Sequence, residues 1–301
     1  MYKRLVFTAW LVWGFVVACA PQKSMDLKYF YEYDRDLPLH AQFSSLNSHR
    51  FHVRYTSYNG KQVPALLSVP QVAEPPHPLI IMLHGIGDHK DADYMRIGDS
   101  IFVKHGFAVL RIDIEYHGER RFPGVSIKEA RKFRYFLRNA MIQTVFDLRR
   151  AVDLADSLDY LDRNRTAFLG ISLGGIIGAV FSGVENRVEF PILALAGGGL
   201  RWAYGKDGLS PEIQNMLAPV EPLNFVHLIS PRPVLFQNAE KDEVIPHSAT
   251  MLLYRAAKEP KQIIWYPAGH HMPPVPAFLD AVNYLKKQFA KLPQHQIPAG
   301  R

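Results

Sequence analysis

Short runs of consecutive hydrophobic residues recur along the chain, with helical patterns between them. The first run covers residues 79–83, and such a run is typical of a strand buried on both faces of a parallel sheet. Five further runs follow, near residues 108–114, 167–171, 192–196, 234–236 and 262–266. Hydrophobic residues at steps of three and four from Met141 to Leu158 predict an amphipathic helix. Further helical patterns begin at Leu173 and at about Val275. This alternation predicts a doubly wound, mostly parallel α/β sheet.

A different pattern precedes the first buried run. Residues 51–55 alternate between hydrophobic and polar, Asn59-Gly60 is typical of a tight hairpin turn, and residues 63–69 form the return strand. We therefore predict an N-terminal antiparallel hairpin and a sheet of about eight strands. The sequence shows neither an internal repeat nor a second block large enough for its own core. Residues 49–291 are thus interpreted as one domain, with residues 292–301 as a C-terminal tail.

Two segments interrupt the alternation, at about residues 119–140 and 198–230. Both follow predicted strands, and ligands of open α/β sheets bind at the carboxyl ends of the strands. We therefore expect these two insertions to form lids or walls of a substrate site. In the second insertion, Trp202, Tyr204 and Met216 are candidates for the pocket wall.

The composition excludes several classes of protein. The chain has 301 residues, of which 48% are hydrophobic and 21% are charged, close to the averages of globular domains. A collagenous, low-complexity or mostly disordered chain is therefore excluded. A single cysteine excludes an intramolecular disulfide framework and a thiolate-rich metal site.

That cysteine, Cys19, ends a segment that resembles a bacterial lipoprotein signal. Two basic residues precede an uncharged run at residues 5–18, which is long enough for a signal peptide and too short for a comfortable membrane span. A small residue comes directly before the cysteine, as in the lipobox. The resemblance implies that residues 1–18 are removed and that Cys19 is lipidated. Residues 19–48 would then be a tether and an N-terminal segment.

The same resemblance implies a place for the protein. Because Ala20 rather than Asp follows the cysteine, the expected location is the outer membrane of the bacterial envelope. Two or three acyl chains give stable anchoring, where one is marginal. An ordinary signal peptide and a membrane stub with an incidental cysteine remain the alternatives. Export argues against a nucleic-acid partner.

The strongest chemical signal is the Gly-x-Ser-x-Gly motif at residues 170–174. It follows a buried strand and opens a helix, which is the setting of a nucleophile elbow. The turn would present the Ser172 hydroxyl at the top of the sheet. The alternative is a structural serine in a glycine-rich helix start, for example one that cradles a phosphate.

A serine hydroxyl needs a base to become a good nucleophile, and two later loops supply candidates. One loop contains the acids Glu240, Asp242 and Glu243, and the other contains His270 and His271. Both loops follow predicted strands, so they should lie on the same rim as Ser172. The expected chain order in such a site is serine, acid, histidine.

With these loops the sequence resembles the α/β-hydrolases, close to the group of dienelactone hydrolases, acetyl-xylan esterases and prolyl-oligopeptidase-like proteins. The group commonly shows an Asp-x-x-Val-Pro acid loop and a Gly-His loop, matched here at residues 242–246 and 269–270. This match favours Asp242 and His270 as the partners of Ser172. Ala239 stands where the group often has a glycine.

The resemblance extends over residues 51–289 and implies further site residues. The backbone N–H groups of Ile86 and Leu173 would hold the developing oxyanion, at about 3 kcal/mol each. A loop that begins at Asp113 would be scaffold, with Tyr116 as another candidate for the pocket wall. His84 would bond neighbouring backbone, and no metal or cofactor is expected.

Charge is concentrated in the first insertion. Seven of its residues are Lys or Arg, against Glu119 and Glu129, in a chain whose formal net charge is +7. Such a segment could meet anionic headgroups or an anionic substrate. A solvated helix face is the simpler alternative.

Taken together, these residues predict a lipid-anchored serine esterase with an acyl-enzyme intermediate and a small-molecule or carbohydrate ester as substrate. One alternative is a peptidase or amidase of the prolyl-oligopeptidase type. Another is a non-catalytic envelope lipoprotein that uses a hydrolase shell for binding.

Overall fold

The computed structural model describes residues 27–122 and 135–292, and a nine-stranded mixed sheet runs through them. The sheet order is β1-β2-β3-β5-β4-β6-β7-β8-β9. The strands are β1 Gln42–Asn47, β2 Arg50–Thr56, β3 Gln62–Ser68, β4 His77–Leu83, β5 Ala108–Ile112, β6 Leu161–Ile171, β7 Phe190–Ala194, β8 Val234–Ala239 and β9 Lys261–Tyr266. Strands β1, β2, β3 and β5 pair antiparallel in succession, and the pairs from β5 to β9 are parallel. The predicted fold class is therefore confirmed.

Helices cover both faces of this sheet. The α-helices are α1 Asp93–Lys104, α2 Phe136–Asp156, α3 Leu173–Val184, α4 Pro211–Leu217, α5 His247–Ala256 and α6 Pro274–Phe289. Strand β4 shows the two layers directly. Its residues Leu79 and Ile81 belong to the core shared with α2 and α3, whereas Ile80 and Met82 belong to the core shared with α1 and α6. A strand buried on both faces must be apolar throughout, which explains the continuous runs in the sequence.

The edge strand β1 lies within the segment predicted as a tether and N-terminal segment. All six of its residues are exposed. Its sequence therefore lacks the alternation of hydrophobic and polar residues that indicates a strand with one buried face. It adds one strand to the eight that were expected.

The N-terminal segment packs on the domain from Leu27 onward. The ring of Tyr31 is fully buried, and its hydroxyl donates to the carbonyl of Pro219 at 2.6 Å. Two buried arginines of α2 bond backbone carbonyls of this segment: Arg149 reaches Tyr31, and Arg150 reaches Leu37 at 2.6 Å. The segment thus supplies acceptors for buried charges that would otherwise be costly.

The structure describes the backbone of the second predicted insertion in full and that of the first only in part. Residues 198–230 form short 3-10 helices and α4 beside the carboxyl ends of the strands. Most of the first insertion, residues 123–134, lies outside the described residues. Its last residues belong to helix α2, which begins at Phe136 rather than at about Met141.

Within residues 27–122 and 135–292, no helix combines the length and the hydropathy that a membrane span requires. Cys19 and the predicted signal peptide lie outside the described residues, so the expectation of a lipid anchor stays a prediction.

Candidate active site

Ser172 lies in a strained turn between β6 and α3. Its φ and ψ angles are 57° and −117°, a conformation that is costly for a residue with a Cβ atom. The backbone on both sides is packed too closely for side chains. A Cβ atom at Gly170 would lie 2.2 Å from the carbonyl oxygen of Gly174, and one at Gly174 would lie 2.4 Å from that of Leu83. The two glycines therefore permit the turn, and the turn places Ser172 at the carboxyl end of β6.

Ser172, His270 and Asp242 form a chain of hydrogen bonds. Nε2 of His270 is 3.0 Å from Oγ of Ser172, and Nδ1 is 2.9 Å from both carboxylate oxygens of Asp242. With the proton on Nδ1 donated to Asp242, Nε2 carries the lone pair that accepts from the serine hydroxyl. This geometry lets His270 take the serine proton as a general base.

Asp242 is itself held by backbone donors. One of its oxygens accepts hydrogen bonds from the N–H groups of Val244 and Ile245, both at 2.8 Å. Its side chain is only 7% exposed. The backbone donors thereby fix the carboxylate in position, and both of its oxygens can still accept the proton on Nδ1 of His270.

The two other acids of this loop, Glu240 and Glu243, do not contact the ring of His270 as Asp242 does. Glu240 is exposed. Glu243 is also exposed, but its carboxylate accepts the backbone N–H of His270 at 3.1 Å. This hydrogen bond, together with a second from its own backbone N–H, lowers the pKa of Glu243 below its usual value. Asp242 thus holds the ring of His270, and Glu243 holds its backbone.

His271 is exposed and does not take the place of His270. Its ring centroid lies 6.3 Å from that of His270. Of these two histidines, it is His270 that bonds Ser172 and Asp242.

The predicted oxyanion donors flank the serine. Leu173 is the first residue of α3, where a backbone N–H has no partner inside the helix. Ile86 follows Gly85 in the loop after β4, and a Cβ atom at Gly85 would lie 3.5 Å from Cβ of Ser172. The loop therefore runs directly beside Ser172. The hydroxyl of Tyr94 accepts the N–H of Gly85 at 2.9 Å and donates to Asp88 at 3.1 Å, which fixes the loop.

His84 also holds the loop after β4, through hydrogen bonds with the backbone of Gly85 and Ile114. The backbone N–H of Ile114 donates to its Nε2 at 3.0 Å, so the proton on Nδ1 is donated to the carbonyl of Gly85 at 2.7 Å. Burial lowers the pKa of His84 to about 4. The imidazole is thus neutral, with a defined tautomer, and it bonds neighbouring backbone as expected.

The loop from Asp113 is scaffold. Asp113 accepts hydrogen bonds from the backbone and the ammonium group of Lys90, at 2.7 and 2.6 Å, and from the backbone of Glu119 at 3.1 Å. Arg120 is largely buried and pairs with Glu115 and with Asp147. Its charge is therefore neutralised inside the fold and is not part of an exposed basic surface.

Two cavities meet at Ser172, and both touch Ile86 and Val244. We call the first, of about 450 Å³, the His270 cavity; its further walls include Gly85, Tyr94, Gln237, His270, Met272 and Phe278. We call the second, of about 420 Å³, the Leu173 cavity; its further walls include Leu137, Met141, Leu173, Ile176, Leu200 and Leu217. Both volumes fall in the range of small-molecule binding sites.

The structure places the four residues predicted to line the pocket in different surroundings. Tyr204 does line the Leu173 cavity. Met216 is not among the described residues that line either cavity, although its carbonyl accepts Nε of Arg138 at 2.8 Å. Tyr116 lies in a separate charged cleft and stacks on Phe136 with the ring centroids 4.5 Å apart. The side chain of Trp202 lies outside what the structure describes.

Some features of the site escaped the sequence. Nothing in the sequence indicates that Tyr94 supports the oxyanion loop, because it is a single helical residue. The sequence presents Glu243 only as a rival acid; its position next to Asp242 is the one signal of a support for the histidine loop. Val244 lies between both cavities.

Comparison with solved structures identifies proteins of the same fold. The acetyl xylan esterase from Paenibacillus sp. R4 superimposes with a TM-score of 0.73 at 18% identity, covering 88% of this chain and 95% of that chain. Acetyl xylan esterase 1 from Thermoanaerobacterium sp. JW/SL YS485 gives 0.70 at 18% identity, covering 87% and 93%. Est1E from Butyrivibrio proteoclasticus, solved with ferulic acid, gives 0.62 at 19% identity, covering 77% and 98%. No curated protein sequence matches the chain significantly.

The sequence itself matches the family model of acetyl xylan esterase (AXE1) over residues 24–194. This span exceeds half of the 301 residues and includes the oxyanion loop and Ser172. The loops of Asp242 and His270 lie beyond it. On the strength of this match, the chain belongs to the acetyl xylan esterase family and is a carboxylic ester hydrolase with the α/β-hydrolase fold.

Proposed function

We propose that the protein hydrolyses a carboxylic ester through an acyl-enzyme on Ser172, with His270 as general base and Asp242 as its orienting carboxylate. The observation that carries this proposal is the unbroken chain of hydrogen bonds, at 2.9 and 3.0 Å, from Asp242 through His270 to Ser172. Among the residues that the structure describes at this rim, only His270 bonds both Ser172 and a carboxylate.

The first half of the reaction transfers the acyl group. Oγ of Ser172 attacks the ester carbonyl while its proton moves to Nε2 of His270. The carbonyl oxygen takes up the electron pair and becomes the oxyanion, which the backbone N–H groups of Ile86 and Leu173 stabilise. Collapse of this intermediate breaks the ester C–O bond, and His270 gives its proton to the departing alcohol.

The second half restores the enzyme. A water molecule donates a proton to His270 and attacks the acyl carbonyl, and the same donors hold the second oxyanion. The proton then returns to Oγ of Ser172 as the carboxylic acid leaves. Each step uses side chains and backbone groups of this chain alone.

A fluorophosphonate probe tests the nucleophile, together with hydrolysis of p-nitrophenyl acetate. We expect the folded protein to be labelled at Ser172 and to hydrolyse the ester, and Ser172→Ala to lose both properties. Ser182→Ala is a matched control, since Ser182 is a buried serine of α3, the helix that follows Ser172. Absence of labelling and hydrolysis in the folded wild-type protein would leave the non-catalytic binding protein as the better explanation.

The open rim around Ser172 suits a small-molecule or carbohydrate ester. Relatives with the same fold include acetyl xylan esterases, so acetylated sugars are the first natural esters to assay. Acetylated xylo-oligosaccharides should be compared with p-nitrophenyl acetate and with a proline-containing amide. Cleavage of the amide in preference to the esters would favour the peptidase instead.

We further propose that the protein is anchored to the bacterial envelope, facing the periplasm or at the outer membrane, through a lipidated Cys19. Support comes from the sequence: the single cysteine follows a basic start, an uncharged run and a small residue. Labelling with radioactive palmitate in the native host tests this. Wild-type protein should incorporate label, and Cys19→Ala should not; equal incorporation would overturn the anchor.

A further inference from the structure

The two cavities at Ser172 differ in one respect that matters for the reaction. His270 lines only the His270 cavity, whereas Leu173 lines only the Leu173 cavity. Ser172 and Ile86 border both. An ester carbonyl at Ser172 would lie where the two cavities meet, with room for one ester substituent in each.

The position of the base decides which substituent goes where. In the proposed reaction His270 gives its proton to the departing alcohol oxygen, which must come within hydrogen-bond reach of Nε2. The alcohol therefore extends toward the His270 cavity. The acyl chain, on the other side of the carbonyl carbon, extends into the Leu173 cavity.

The Leu173 cavity is far larger than an acetyl group needs. Its volume is about 420 Å³, and at about 30 Å³ for each water-sized group it holds on the order of ten non-hydrogen atoms. An acetyl group has only three. The cavity thus leaves most of its space empty when an acetyl ester is bound.

The walls of this cavity are mostly apolar, although Arg138 and Tyr204 also line it. Met141, Ile176 and Leu217 are 2%, 5% and 6% exposed, and Leu200 is 8% exposed. They come from α2, α3 and the second insertion, so three separate parts of the fold converge on the same space. Such walls favour a hydrophobic chain, by roughly fourfold in affinity for each methylene group buried.

We propose that the Leu173 cavity is an acyl-binding site and that the preferred substrates are esters of medium-chain or aromatic carboxylic acids rather than acetates. This inference rests on the proposed function, since it takes Ser172 and His270 as nucleophile and base. It goes beyond the family match, whose name refers to acetyl esters. It also assigns the second insertion a role as the wall of the acyl site.

The test compares p-nitrophenyl esters that share one alcohol and differ in the acyl chain. We expect kcat/KM for the hexanoate and octanoate to exceed that for the acetate by about tenfold or more. Ile176→Phe fills the cavity and should lower the ratio of octanoate to acetate by about tenfold, within the range seen for single methylene-sized changes in binding pockets. Leu217→Phe, from another wall, provides a second variant if the first does not fold.

A variant of the other cavity serves as the matched comparison. Met272→Trp narrows the His270 cavity, so it should lower kcat/KM for the octanoate and the acetate alike and leave their ratio within about twofold of the wild-type ratio. A wild-type preference for acetate, or an octanoate-to-acetate ratio that responds to Met272→Trp and not to the folded Leu173-cavity variants, would overturn the assignment.

Fluorophosphonate labelling separates the two possible failures. If Ser172 is labelled and acetate is hydrolysed best, the proposed function stands and the acyl site is wrong. If Ser172 is not labelled and no ester is hydrolysed, the proposed function itself fails, and the acyl site fails with it.

Discussion

Nε2 of His270 lies 3.0 Å from Oγ of Ser172, although 98 positions of the chain separate the two residues. The serine follows β6 and the histidine follows β9. All strands between β5 and β9 run parallel, so both strand ends reach the same rim of the sheet. This juxtaposition depends on sheet topology, and the first prediction follows from it.

Removal of either partner of this hydrogen bond should abolish ester hydrolysis. We expect Ser172→Ala and His270→Ala each to lower kcat by about 10⁴-fold or more, as for other triads. Because their groups act as a unit, the double variant should lose little more than each single variant. His271→Ala is the control, and its kcat should stay within about threefold of wild type. If kcat falls in His271→Ala and not in His270→Ala, the assignment of the base is wrong.

Glu243 should act as a positioning residue for the histidine loop. Its carboxylate accepts the backbone N–H of His270 at 3.1 Å, and that hydrogen bond keeps its pKa below the usual value. Glu243→Ala should lower kcat by about tenfold with little change in KM, because the base is displaced while the cavities remain.

Glu243→Gln should restore most of this activity, since an amide oxygen can accept the same hydrogen bond. Glu240→Ala is the matched control for loss of an exposed carboxylate from the same loop. Equal kcat in Glu243→Ala, Glu240→Ala and wild type would show that the contact has no role in positioning.

His84 should make stability depend on pH. Burial lowers its pKa from 6.5 to about 4, so between these values the unfolded chain binds a proton that the folded protein does not. The free energy of unfolding should therefore fall as pH falls from 6.5 to 4, by up to about 3 kcal/mol from this residue. Burial also lowers the pKa values of His77 and His117, which add to the same trend.

Denaturant unfolding at several pH values measures this dependence. His84→Asn keeps an amide donor for the Gly85 carbonyl and cannot titrate, so its unfolding free energy should vary less steeply over this range. An identical pH dependence in the variant and the wild type would contradict the assignment.

Two glycines at the nucleophile should respond differently to alanine. A Cβ atom at Gly174 would lie 2.4 and 2.6 Å from the carbonyl oxygens of Leu83 and His84. Backbone cannot yield as a side chain can, so Gly174→Ala should destabilise the fold by about 3 kcal/mol or more. At Gly85 the nearest atom is Cβ of Ser172 at 3.5 Å, an ordinary contact.

Gly85→Ala should therefore fold with nearly unchanged stability while its methyl group crowds the approach to Ser172, lowering kcat/KM by about tenfold. Thermal unfolding and ester hydrolysis, measured side by side, separate the two effects. Equal losses of stability in both variants would show that the backbone is not packed more tightly at Gly174 than at Gly85.

The sequence by itself determined the fold class and singled out Ser172 as the candidate nucleophile. Strands buried on both faces need continuous apolar runs, and the turn at Ser172 needs glycines within two residues. Both features can be recognised because they depend on residues that are adjacent in the sequence. The sequence also favoured Asp242 and His270, through motifs at two strand ends. It did not reveal β1, because an edge strand with every residue exposed shows no hydrophobic alternation.

Only the tertiary structure decided how distant side chains divide the space around Ser172. Tyr204 lines a cavity at the serine, whereas Tyr116, an equally plausible candidate, stacks in another cleft. Arg120, counted from sequence as part of a basic face, is buried against Glu115 and Asp147. Pocket walls and buried ion pairs join segments far apart in the chain, and their composition depends on packing, which no local pattern records.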